Sequence, residues 1–301
     1  MSEDLDLLAG SFITHDGLTL ASYRARASGE PRSPVILIHG FGDHSRSLPY
    51  LRLARTLSMR GFEVFAYDRR GAGRSQGLES YTPSWDDLMQ DLARFVDIAE
   101  DQCGRLPALL GLSFGALQAL DFALRSPESV PACVALSPAL DVTGTSPWLR
   151  RILPWLARWF PKMKVDPGLD DSALTRDQVL LGQYRADPLW QKKTTPALGA
   201  AAMGAVLRVQ GHASEIKTPT LLFHGTADRV VPIQGTRSFF ANLGSKDKTF
   251  VEVPGAFHAL PIEPEGPVIA GQIADWLCVR RSILPSPALD PRFRAATIEK
   301  A

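Results

Sequence analysis

The apolar run Leu106-Pro107-Ala108-Leu109-Leu110 leads directly into Gly111-Leu112-Ser113-Phe114-Gly115, and the next nine residues, Ala116 to Leu124, take on helical character. A strand that turns into a helix within five residues leaves few architectures open. The G-x-S-x-G spacing suits a serine held on a sharp strand-to-helix turn with its hydroxyl exposed. The glycines have a steric reason, since a side chain on either would meet the strand or the helix beside it. The same residues also fit an ordinary glycine-bearing turn, so the segments downstream must decide.

A serine hydroxyl is a weak nucleophile until a base takes its proton, and the base needs an acid to orient it. At such an elbow the partners follow in the order Ser, Asp or Glu, His. Leu221 to Phe223 read as a strand, with Asp228 in the loop after it. Phe250 to Val253 read as another, with His258 in the loop after Gly255. Ser113, Asp228 and His258 thus each follow a strand, at the edge of a parallel sheet where sites assemble. The competing histidines fit other roles. His15 precedes Asp16-Gly17, a hairpin signal. His39 and His224 each stand before a glycine at a strand end and read as structural, and His212 ends a helical stretch. Among the acids, Asp170 and Asp171 fall in an inserted region and Asp247 is flanked by lysines. The developing oxyanion needs backbone N–H donors. Phe114, which follows the serine, offers one. Phe41 offers the other, in the glycine-bearing loop Gly40-Phe41-Gly42 after the strand Val35-Ile36-Leu37-Ile38.

With these residues in place, the chain resembles the α/β-hydrolases of the monoacylglycerol lipase and lysophospholipase group, which overlaps the serine aminopeptidase-like hydrolases. The matching segments are His39-Gly40-Phe41-Gly42-Asp43-His44-Ser45, Tyr67-Asp68-Arg69-Arg70-Gly71-Ala72-Gly73-Arg74-Ser75-Gln76-Gly77, the elbow at Ser113, Ala186-Asp187-Pro188-Leu189, His224-Gly225-Thr226-Ala227-Asp228, and Gly255-Ala256-Phe257-His258. Together they run from about residue 12 to 277. The resemblance implies hydrolysis of carboxyl esters of single-chain lipids, with Ser113 as nucleophile, Asp228 as orienting acid, His258 as base, and Phe41 and Phe114 as oxyanion donors. The chain departs from the group's pattern around the elbow, where Leu112 and Phe114 stand for the usual His and Met. It departs again in the oxyanion loop, where Asp43 stands for Glu.

A chain of 301 residues suits one large α/β domain with an insertion. The expected organisation is a hydrolase core over 1–139 and 215–280, a helical cap over 140–214, and an irregular tail over 281–301. Alternating strands and helices imply a mostly parallel central sheet covered on both faces. A hairpin is expected over 11–26, with helices over 48–60 and 85–100. Gly71-Ala72-Gly73 is no dinucleotide fingerprint, because the third glycine comes one position late and no helix opens there. In the cap, Trp148, Trp155 and Trp159 are spaced seven and four apart and share a helical face, with Pro154 expected to kink or divide the helix. That face reads either as a substrate-binding, lipid-contacting lid or as a cap helix packed on its own domain. The Ala-rich segment 196–209 leaves room for an acyl chain or simply packs closely.

Net charge is +1, which gives no electrostatic case for nucleic acid. Cys103, Cys133 and Cys278 lack metal spacing and fit buried thiols in a reducing compartment. The acidic N-terminus does not read as a secretory signal, and no apolar run approaches the roughly 20 residues of a membrane span. The expected protein is cytoplasmic, with transient contact at a membrane surface through the cap. The expected chemistry uses neither metal nor organic cofactor and acts on a small ester or lipid. Esterase action on small esters, thioesterase or peptidase action, and a catalytically silent ligand-binding protein of the same fold are the alternatives.

Overall fold

The computed structural model describes residues 5, 7–29, 32–141 and 146–280; the expected tail over 281–301 lies outside them. An eight-stranded sheet forms the centre. Its strands are β1 (Leu7–Ile13), β2 (Thr19–Ala25), β3 (Pro34–Ile38), β4 (Glu63–Tyr67), β5 (Ala108–Leu112), β6 (Cys133–Leu136), β7 (Thr220–Gly225) and β8 (Lys248–Val253). They lie in the order β1-β2-β4-β3-β5-β6-β7-β8. The β1–β2 hairpin turns over 14–18 and joins β4 antiparallel; every other pairing is parallel. This is the α/β-hydrolase architecture.

All residues of β3 to β7 are buried, because helices cover both faces and both side-chain sets must be apolar. The period of two then sorts them into two cores. Ile36, Ile38, Phe65 and Leu109 face α2 (Trp85–Cys103) and α3 (Phe114–Arg125). Val35, Leu37, Val64 and Leu110 face α1 (Leu48–Met59) and a C-terminal helix over Gly266–Cys278. The helix after Trp85 runs to Cys103, past the expected end at 100, because Gly104 (φ 67°) supplies the left-handed cap that stops it. Of the cysteines, only Cys133 is buried; Cys103 and Cys278 are half-buried.

Between β6 and β7 lie α4 (Pro147–Trp159), α5 (Gln178–Arg185) and α6 (Pro196–Gly211), with one antiparallel bridge, Val165 to Thr194. The helix α4 runs unbroken through Pro154, so the expected division does not occur. Leu149, Ile152, Leu153 and Leu156 are half-buried toward the protein, while the three tryptophans face outward. The small residues of α6 serve close packing. Gly199 sits against Leu153 of α4, and Ala205 and Val209 join the core beside α2 and α3. Helices α7 (Ile233–Asn242) and α8 (Gly266–Cys278) are the last among the described residues. No helix among the described residues is long and apolar enough to cross a membrane.

Asp121 ties the nucleophile helix α3 to its neighbours. Its carboxylate is fully buried and accepts from Trp85 Nε1 at 2.7 Å on α2 and from Arg208 Nε at 2.8 Å on α6. Arg125 Nε lies 2.8 Å away on the next turn. Removing that acceptor strands a buried indole N–H and takes a shared carboxylate from two partly exposed guanidinium groups, of which Arg125 keeps Asp86. Asp121→Ala should therefore cost on the order of 2–3 kcal/mol in urea denaturation; a loss under about 1 kcal/mol would show that the network contributes little.

Candidate active site

Ser113 occupies the turn from β5 to α3 with φ 57° and ψ −115°, a left-handed backbone that an ordinary side chain rarely adopts. Two bonds to the end of β6 and the chain just after it hold it there: Ser113 N–H donates to Leu136 O at 2.9 Å, and Ala139 N–H donates to Ser113 O at 3.1 Å. The flanking glycines have the expected cause. A Cβ on Gly111 would run into the backbone of Gly115, and a Cβ on Gly115 would run into the carbonyl of Ile38. The helix therefore starts right against the end of β3.

Asp228 follows β7 and His258 follows β8, as their strand contexts predict. His258 Nδ1 lies 2.7 Å from Asp228 Oδ2. The carboxylate is fully buried, and its other oxygen accepts the backbone N–H groups of Val230 and Val231 at 2.8 and 2.9 Å. Burial alone would raise its pKa. The charge of His258, with hydrogen bonds from His224, His258 and Val231, more than offsets that and holds the carboxyl well below the usual range. His224 is thus a support for Asp228. Its Nε2 faces Asp228 Oδ2 at 3.1 Å and Val231 O at 3.0 Å, both acceptors, so Nε2 carries the proton and Nδ1 accepts from Thr236 Oγ1.

His39 is likewise structural. Its Nε2 accepts from the backbone N–H of Arg69 at 2.9 Å, which leaves Nδ1 to donate to Gly40 O. Burial, then the charge of Arg69, keep the ring's pKa well below its ordinary value. His15 lies in the hairpin turn and His212 caps α6.

Ser113 and His258 line one cavity of about 320 Å³, a volume suited to a small organic ligand. Phe41 lines it too, in the loop after β3. A Cβ on Gly40 would stand 3.6 Å from Ser113 Cβ, so this loop lies directly over the serine. Phe114 is the first residue of α3, where an N–H has no partner inside the helix. Its ring is buried between Trp85 and the Arg69 guanidinium, which lies 4.4 Å from the ring centre. Trp148, Trp155 and Trp159 do not line the cavity; they are 65, 56 and 62% exposed on the outer face of α4.

The cavity has features that sequence reasoning missed. Leu169, Leu174, Trp190 and Val230 supply apolar wall. Asp43, Tyr50 and Tyr184 form a polar patch on the same wall. Tyr50 OH accepts the Gly40 N–H at 2.7 Å and hydrogen-bonds Asp43, and Tyr184 bonds Asp43 as well. Burial raises the Asp43 pKa to about 6, against the pull of its hydrogen bonds and the charge of His44. Among the described residues, His15, Asp16 and Asp87 come close enough together to share a cation, but Arg70 already binds Asp16 at 2.9 Å and none of the three lines the cavity.

The raised Asp43 value has a thermodynamic consequence. A carboxyl that holds its proton more tightly in the folded state stabilises the fold below pH 4 and loses that contribution as pH rises through about 6. Between pH 4 and pH 7.5, wild type should lose on the order of 2 kcal/mol relative to Asp43→Asn. Urea denaturation of both proteins at the two pH values measures this, and parallel pH profiles would refute it.

Known proteins match both the fold and the sequence. The profile of the family described as serine aminopeptidase, S33, matches residues 29–265. A monoacylglycerol lipase of Mycolicibacterium smegmatis is 30% identical over 251 residues, covering 82% of this chain and 89% of its own. The human monoglyceride lipase is 29% identical over 252 residues, with 82% of each chain covered. Among solved structures, the monoacylglycerol lipase of Paleococcus ferrophilus superposes with a TM-score of 0.79 at 33% identity, over 86% of this chain and 99% of its own. A soluble variant of the Saccharomyces cerevisiae monoglyceride lipase, in complex with a substrate analog, shares the fold with a TM-score of 0.83 at 23% identity, over 94 and 98% of the two chains. The elbow, the strand order and these matches agree: the chain belongs to the serine aminopeptidase S33 family of α/β-hydrolases, alongside the monoacylglycerol lipases.

Proposed function

We propose that this protein is a serine carboxyl-ester hydrolase acting on monoacylglycerols or closely related single-chain lipid esters such as lysophospholipids. The observation that carries the reading is the 2.7 Å pair of His258 with a buried, ionised Asp228, facing the same cavity as the strained Ser113. The lipase names of the relatives at 29–33% identity support the substrate class.

In this reading Ser113 Oγ attacks the ester carbonyl while His258 Nε2 accepts its proton. Asp228 fixes the Nδ1–H tautomer and stabilises the imidazolium. The N–H groups of Phe41 and Phe114 hold the tetrahedral oxyanion. His258 returns the proton to the leaving glycerol oxygen, the C–O bond breaks, and the acyl group stays on Ser113. A water that gives its proton to His258 then attacks the acyl-enzyme, and the fatty acid leaves as Ser113 regains its proton. The apolar wall suits an acyl chain, and the Asp43–Tyr50–Tyr184 patch suits a hydroxylated head group.

The outward face of α4 supports a second element of the proposal. Trp148, Trp155, Trp159 and Phe160 are at least half exposed, and Arg151, Arg158 and Lys162 are exposed among them. An aromatic face with a basic fringe suits the lipid–water interface. We therefore read the tryptophans as a transient membrane contact that brings the cavity to its substrate.

Two experiments check these readings. A fluorophosphonate probe should add once to wild type and not to Ser113→Ala, and that variant should lose on the order of 10⁴-fold or more of its monoacylglycerol turnover. An unlabelled wild type, or an active variant, would defeat the serine mechanism. Replacing all three tryptophans with serine should release the protein from phospholipid vesicles in a sedimentation assay while turnover of a soluble short-chain ester changes less than about twofold; unchanged sedimentation would remove the membrane role.

A further inference from the structure

The loop that carries Phe41 is built from two glycines, Gly40 and Gly42, and glycine alone fixes no backbone conformation. The core secures its two ends. Gly40 N–H donates to Tyr50 OH at 2.7 Å, and Ser45 N–H donates to Asp68 Oδ1 at 2.8 Å. Between these anchors Asp43 bonds Tyr50 of α1 and Tyr184 of α5, and two further partners come from the segment between α5 and α6. Gln191 N–H donates to Gly42 O at 2.7 Å. The two backbones approach so closely that a Cβ on Gly42 (φ 70°) would collide with the Gln191 carbonyl. Two residues on, the buried His44 places Nε2 2.9 Å from Asp187 Oδ2.

Both partners are themselves fixed. The Asp187 carboxylate accepts Leu189 N–H at 2.9 Å through its other oxygen, so its own turn orients it. The Gln191 side chain accepts from Ser80 Oγ at 2.8 Å and donates to Gly71 O at 3.1 Å, which pins it to the core loop after β4. His44 Nδ1 accepts the Arg46 N–H at 3.3 Å, leaving the Nε2–H for Asp187.

We propose that Asp187 and His44 are positioning residues for catalysis: this buried pair, with the Gln191–Gly42 backbone bond beside it, holds the Gly40–Ser45 loop so that the Phe41 N–H points at the developing oxyanion over Ser113. The inference rests on the serine-hydrolase reading above and adds the device that assembles its oxyanion hole. Preorganised donors contribute only when they are fixed before the charge appears, and a displacement near 1 Å costs about 10²-fold. The same segment walls the cavity through Trp190, Gln191 and Lys192, so substrate enclosure and oxyanion-hole geometry are set by one piece of chain.

The test uses the intact protein, p-nitrophenyl butyrate as a soluble substrate and a fluorophosphonate as a direct probe of Ser113. Asp187→Asn keeps the turn's acceptor oxygen and removes the charge facing His44. His44→Asn keeps a polar atom near the Nδ1 position and deletes Nε2, so either variant serves if the other fails to fold. Each should lower kcat and the probe's inactivation rate about tenfold or more, with KM changed less than about twofold and final labelling still one adduct per chain. The double variant should be no slower than the worse single, because both substitutions break one interaction. Full-rate labelling in both singles would overturn the proposal while leaving the Ser113 reading intact. So would losses that multiply in the double variant, or that follow only a reduced labelling stoichiometry. An unlabelled wild type would overturn both readings together.

Discussion

The left-handed backbone of Ser113 is the constraint on which the rest of the structure depends. A non-glycine residue at such a conformation costs on the order of 1–3 kcal/mol and persists only where its surroundings over-determine it. Here the surroundings are a parallel sheet. Strand β6 and the residues just after it supply two backbone partners of Ser113, Leu136 and Ala139, and β3 lies so close that Gly115 has no room for a side chain. The helix α3 then leaves the turn toward α2 and α6, with Asp121 fixing its direction. Strain at one residue thus requires tight packing of two strands and three helices. That packing in turn puts the Phe114 N–H, the Ser113 hydroxyl and the Gly40–Gly42 loop at one point of the sheet edge.

The parts of this arrangement that local pattern controls were legible in the sequence. The strands β3, β4, β5 and β7 are largely apolar because both faces are covered, and each gives way at its C-terminal end to a histidine, aspartate, serine or glycine. That change marks the ends of β5 and β7, and with them Ser113 and Asp228, while His258 was legible from the β-prone run and turn before it. His224 and His39 were legible as structural residues, but their tasks were not. Support of Asp228 by His224 depends on a turn that folds Val231 and Thr236 back over the ring. The helix α4 shows the limit of periodicity. Two apolar stripes run along it, one of leucines and one of tryptophans, and spacing alone does not tell which faces the protein. Pro154 read as a break because it removes one helical bond, yet a helix with its leucine face docked on α6 tolerates that loss.

The polar end of the cavity was illegible for a different reason. Tyr50 belongs to α1, Tyr184 to α5 and Asp43 to the loop between β3 and α1, so no window of sequence contains the group. Asp43 registered only as a short acid in a matching motif. Its position against two phenols, in a site that burial dries out enough to raise its pKa to about 6, follows from the meeting of the core with the chain inserted after β6.

Electrostatics divides the two carboxylates of the site by environment rather than by type. Asp228 and Asp43 are both buried, and burial pushes both upward. Asp228 is opposed by two imidazoles at one oxygen and two backbone N–H groups at the other, and stays ionised. Asp43 faces hydroxyl donors from Ser47 and the tyrosines, a single backbone N–H and the more distant charge of His44, which leave most of the desolvation cost uncompensated. In the proposed mechanism, an ionised acid beside His258 orients the imidazole to accept a proton. A carboxyl that changes charge near neutrality, on the wall of the same cavity, offers either a donor or an acceptor to whatever hydroxyl group lies against it. The fold therefore holds one residue type in two electrostatic states by changing what donates to it, and the donors differ because one acid follows the end of a strand and the other lies beneath the inserted segment.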